Sequence, residues 1–205
     1  MAAATRIPKE FVEYDGNELQ SKLESTYGVT EPNTVSIFCG DLQSFPGWAS
    51  LPQEGDNNKQ FVYIDTTWSL WLLQGGGLAQ NIADVLAHEL GHWLGLHQTF
   101  DNDCYPGDYV NDTPPAKSEY RVPMDHGNWF EKNIWNPIKS TRAQFWASGI
   151  ASPNTCGYAN DQIENIMDYT AVPSKFTPGQ NYRMMIFAFY KQIGRMPYFL
   201  NGIIA

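Results

Sequence analysis

Three of the four histidines in this chain fall within ten positions, in HELGHWLGLH at 88–97. A helix advances about 100° per residue, so His88 and His92 lie about 40° apart on one helical face. Two imidazoles at that spacing can chelate one zinc ion. Glu89 falls about 100° round from His88. From there its carboxylate can act as a general base on a water beside the metal without being a ligand. His97 comes nine residues after His88. On a continuous helix it would point about 180° away. Gly95 removes the conflict, because glycine takes positive φ at no steric cost and commonly ends helices. A break at Gly95 swings His97 back, and it is read as the third zinc ligand. His126, in a loop-like stretch, reads as an ordinary surface histidine.

These groups need a scaffold. On a helix over 82–94, Ile82, Leu86, Leu90 and Trp93 gather opposite the histidine pair, so one side packs and the other presents imidazoles. Asn81 is placed to cap that helix, with Asp84 in its first turn. TVSIFCGDL (34–42) and QFVYIDTTW (60–68) read as strands, rich in β-branched and aromatic residues. Between them SFPGWASLPQEGDNNKQ reads as turn chemistry. A short helix is expected within 10–27. From Gln98 to about Asn165 the chain is rich in Asn, Asp, Pro and Gly and reads as a long, packed, irregular segment. TPGQNYRMMIFAFYKQIG (177–194) opens with Thr177 at N-cap, Pro178 at N1 and Gln180 at N3, a capping box. Gly194 is placed to close that helix.

The chain has 205 residues, 42% of them hydrophobic and 17% charged, a globular composition. Its net charge of −9 (13 basic against 22 acidic residues) and its lack of a Lys/Arg cluster argue against nucleic acid or an anionic membrane as partner. The longest apolar run, MMIFAFY at 184–190, is far short of the ~18 residues of a membrane span. MAAATRIPKEF has no apolar core of a signal peptide. Cys39, Cys104 and Cys156 are an odd set. In a reducing compartment all three are expected free. In an oxidising one the expected pair is Cys104 with Cys156, both in the loop-rich part, leaving Cys39 reduced in a strand.

HELGHWLGLH resembles the extended zinc signature HExxHxxGxxH of metzincin proteases. NIMDYT (165–170) resembles their Met-turn. Within that group the chain is most similar to the pappalysin (cytophagalysin-like) family, through HELGHWLGLHQTF, GDYVNDTPP (107–115), NIMDY and FTPGQNYRM (176–184). The resemblance implies an α/β metzincin-like catalytic domain. A twisted sheet with the active-site helix would occupy about 1–97. An irregular subdomain with the Met-turn, ending in a helix, would occupy about 98–205. It implies a secreted zinc endopeptidase with His88, His92 and His97 as ligands and Glu89 as base. Met167 would form the floor under the metal, and Tyr169 would steady the oxyanion. Asp108, Val110, Asp112 and Thr113 would form a calcium loop, beside which an Asp/Asn turn that caps itself is the other reading. Protein or peptide substrates are the expected partners, and a monomer the expected state. After MDY the chain departs from the family: TAVPSK (170–175) lacks its acidic residues and cysteine, which removes the expected basis for selecting basic side chains. Two other readings stand beside the protease. One is a binding module that has lost catalysis, against which the intact Glu89 argues. The other is a zinc hydrolase of a non-peptide amide.

Overall fold

The structure is a computed structural model, and it describes residues 5–6, 16–27, 35–40, 47–51, 61–65, 82–117, 154–162, 164–168 and 174–192. The chain divides into two compact units, one of residues 1–95 with 184–198, the other of 96–183 with 199–205.

The first unit is built on a four-stranded sheet in the order β1-β2-β4-β3. The strands are β1 (Thr5–Arg6), β2 (Ser36–Gly40), β3 (Gly47–Ala49) and β4 (Phe61–Asp65). β1, β2 and β4 run parallel, and β3 closes one edge antiparallel to β4. The helices are α1 (Gly16–Tyr27) and α2 (Ile82–Trp93). α3 (Pro178–Gln192) begins in the second unit and passes into the first at 184.

Every residue of β4 is buried, as a central parallel strand requires. Its side chains alternate between two faces. Val62 and Ile64 join Ala49 and Val85 in one cluster, with Leu86, Leu90 and Trp93 of α2 packed against it. That is the apolar stripe expected of 82–94. Phe61 and Tyr63 meet aromatic neighbours instead. Tyr63 stacks on Phe38 at 5.4 Å and on Trp48 at 5.6 Å, each its partner in the strand register. These cross-strand pairs hold the sheet in one register.

Two strands lie outside the expectation. β3 sits within the stretch read as turns, and β1 is two residues long. Gly47-Trp48-Ala49 carries no local strand signal. It is a strand because Trp48 pairs with Tyr63 across the sheet. The calls on Asn81, His126 and Gly194 lie outside the described residues.

In the second unit the start of α3 is a capping box. The Gln180 N–H donates to Thr177 Oγ1 at 3.1 Å, and the Thr177 N–H donates to Gln180 Oε1 at 2.9 Å. Cys104 and Cys156 form a disulfide, and Cys39 is free. The bridge joins residues 52 apart, which in the chain-entropy picture stabilises by about 4 kcal/mol. Among the described residues no helix is long and apolar enough to cross a membrane.

Candidate active site

α2 delivers His88 and His92 together. Their rings lie 4.8 Å apart, nearly edge to face. His88 and Glu89 are both buried. Burial pushes the Glu89 carboxyl up to about 8, since desolvation penalises its charged form. A cation nearby would pull it down again.

Glu89 stands against the edge strand. A Cβ on Gly47 would come within 2.8 Å of Glu89 Cγ and Val85 Cγ1, and 2.9 Å of Glu89 Oε1. Any side chain there has to displace the carboxylate. Gly47 is therefore part of the site, and sequence reading missed it. Pro46-Gly47 looks like a turn, and nothing local says that a glutamate from a later helix needs the space.

α2 ends as Gly95 requires. The Gly95 N–H donates to the His92 carbonyl at 2.9 Å, and Gly95 adopts φ of +86°. A Cβ at Gly95 would meet the Phe187 ring at 2.7 Å. Both backbone and packing demand glycine.

In the second unit Met167 is fully buried. Its N–H donates to Asn165 Oδ1 at 2.9 Å, and its carbonyl accepts the Thr99 N–H at 3.1 Å. Asn165 also donates to Gln180 Oε1 at 2.9 Å, which ties the turn at 165–167 to the start of α3. Tyr169 lies outside the described residues.

His97 packs its ring on Tyr109 at 5.3 Å, and its Nδ1 lies 3.4 Å from Asp101 Oδ2. The third-ligand expectation needs correcting here. HExxHxxGxxH spans eleven positions, and its last histidine falls ten residues after the first. Counted from His88, that position is Gln98, and His97 is one residue early. Among the described residues no group of three His, Cys, Asp or Glu is arranged to hold a metal. The donor set thus fits zinc in two imidazoles and a neighbouring base, and departs at the third ligand.

The 107–115 loop has other work. Asp112 accepts the Thr177 hydroxyl at 2.7 Å and the Gly179 N–H at 2.8 Å. Asp108 is buried and accepts the Val110 N–H at 3.1 Å. Burial pushes its carboxyl up to about 7, and the Val110 bond and the Arg183 charge partly oppose this. Arg183 is itself 2% exposed, and burial lowers its pKa. Sequence reading missed this buried cation.

The chain is 28% identical over 193 residues to an extracellular metalloprotease of Verticillium alfalfae, covering 90% of this chain and 59% of that protein. It is 35% identical over 176 residues to one of Sordaria macrospora, covering 83% and 53%. Extracellular metalloprotease 1 of Coccidioides posadasii matches at 28% over 177 residues, covering 83% and 54%. The chain spans about half the length of the curated relatives it matches. Mature mirolysin of Tannerella forsythia, solved with a cleaved peptide, aligns with a TM-score of 0.46 and 20% identity over 80% of this chain and 59% of that one. The sequence profile of the peptidase M43 family, described as pregnancy-associated plasma protein-A, matches residues 36–188. With most of its length inside that match, the chain belongs to the peptidase M43 family.

Proposed function

We propose that this chain carries the catalytic part of a secreted, zinc-dependent endopeptidase. The observation that carries the reading is the buried Glu89 on the same helix that brings two imidazoles to 4.8 Å of each other. Family membership and the extracellular names of the relatives support it.

His88 and His92 would hold the metal. A zinc ion bound there supplies Lewis-acid polarisation of the scissile carbonyl and a more acidic water. The remaining work belongs to the chain. Glu89 takes a proton from the attacking water onto a carboxylate oxygen and returns it to the leaving amine. Gly47 leaves the carboxylate its room. Met167 closes the floor of the Met-turn, and Tyr169 is assigned to the oxyanion from its place in the sequence. Protein or peptide chains are the proposed substrates. Calcium would have to be held at 108–113, where Asp108 and Asp112 already accept hydrogen bonds from protein donors. Those contacts support a clamp on α3 in preference to a cation loop.

The test is Glu89→Gln, which keeps size and removes the proton acceptor. It should retain wild-type zinc content and melting temperature and lose cleavage of a denatured protein by at least roughly a hundredfold. Near-wild-type activity would defeat Glu89 as base. A wild type that cleaves no member of a broad peptide library, with zinc and calcium supplied, would favour a binding module.

A further inference from the structure

We infer that Trp48 is a positioning residue for Glu89: its stack on β4 pins β3 in the one register that leaves the Glu89 side chain its room. The inference rests on the reading of Glu89 as base, and every residue in it lies in the first unit.

Little else holds β3. The strand is three residues long, and among the described strands it pairs on one side only, with β4. So short an edge strand is kept in place by its side chains more than by its backbone. Gly47 has no side chain. Ala49 has a single methyl, buried with Val62, Ile64 and Val85. Trp48 is the only large side chain of the three. Its ring lies 5.4 Å from Phe61 and stacks on Tyr63 at 5.6 Å. Those two residues are 1% and 0% exposed, so the platform under Trp48 is itself fixed. Aromatic pairs at such separations add to what burial alone contributes.

The register has its consequence on the opposite face. Side chains alternate along a strand, so with Trp48 on the aromatic side, Gly47 and Ala49 turn towards α2. There a Cβ at position 47 would come within 2.8 Å of Glu89 Cγ. The stretch reads Phe45-Pro46-Gly47-Trp48-Ala49, with one glycine. A slip of one residue would turn Trp48 or Pro46 towards α2 at that point, and a slip of two would bring Ala49 or Phe45 there. Each neighbouring register therefore drives a side chain into Glu89. The register that Trp48 holds does not.

The experiment reads the place of Glu89 directly. In the isotope-labelled full chain, the Gly47 Hα and Glu89 Hγ protons are close enough for a nuclear Overhauser cross-peak. Trp48→Ala should lose that cross-peak and lower kcat on a denatured protein on the order of tenfold or more, the cost of misplacing a catalytic group. Trp48→Phe keeps a ring on Tyr63 and should keep both. Phe38→Leu is the control. Phe38 stacks on Tyr63 at 5.4 Å from β2, so its loss weakens the sheet from the other side. That variant should melt earlier than wild type and leave cross-peak and kcat unchanged. If Trp48→Ala does not fold, Trp48→Leu, which keeps apolar volume and lacks the ring, is read in the same way. A cross-peak that survives loss of the ring overturns the inference. So does a Phe38→Leu variant that loses cross-peak and kcat alike, because the effect is then a general loosening of the sheet. A wild type without activity defeats the reading of Glu89 as base instead, and the cross-peak still decides whether Trp48 holds β3.

Discussion

Glu89 fills the space beside Gly47: its side chain occupies the volume that a Cβ on this residue of β3 would need. Gly47→Ala should therefore move the proposed base. We expect kcat to fall on the order of 10–100-fold, the cost of misplacing a catalytic group by about an ångström. KM and zinc content should stay near wild type, because neither the histidines nor the substrate's remote contacts change. An unchanged kcat would show that Glu89 does not need this space.

Gly95 is constrained twice, by φ of +86° and by Phe187. Gly95→Ala should cost at least about 2 kcal/mol, from backbone strain and overpacking together. Adding Phe187→Ala should not recover all of that loss, since φ stays positive. Urea unfolding of both variants, corrected for Phe187→Ala alone, measures this. Full recovery in the double variant would mean that the backbone term is negligible.

Asp112 closes the loop onto α3 through Thr177 and Gly179. Asp112→Ala should destabilise by about 1–3 kcal/mol, because two donors lose a charged acceptor at a helix N-terminus. The loss should be equal with calcium and with chelator. A loss seen only with calcium present would instead make the loop a cation site.

Asp108 gives a pH prediction. Its folded pKa is raised to about 7 by burial, above its ordinary value of about 3.9. Between those values the folded protein holds a proton that the unfolded chain has released. The stability from this group is therefore full below about pH 4 and is lost as pH rises through about 7. Asp108→Asn keeps an acceptor for the Val110 N–H and removes the titration. Wild type should lose more stability than Asp108→Asn between about pH 4 and pH 8 in urea unfolding. Equal losses would place the titration elsewhere.

What could be read from the sequence was what is encoded locally. The Thr177–Gln180 box and the break at Gly95 each depend on residues a few positions apart, and both are present in the structure. The packed face of α2 follows from the spacing of Leu86, Leu90 and Trp93. β3 was hidden because its strand character comes from Tyr63, fifteen positions after Trp48. Gly47 was hidden for the same reason, its constraint arriving from Glu89. Arg183 reads as one more polar residue on a helix until Asp108 is placed with it. His97 is a matter of register: counted from His88, the signature's last position falls one residue later, on Gln98.

The Cys104–Cys156 bridge has a consequence for the fate of the molecule after a cut. Any single hydrolysis between Tyr105 and Thr155, by the enzyme itself or by another, opens the backbone without parting the pieces. Such a nicked chain runs as one species on a denaturing gel until a reductant is added. If the chain is secreted as proposed, that geometry turns a severing event into a tolerated scar, which a mass measured without reduction registers only as one added water per cut.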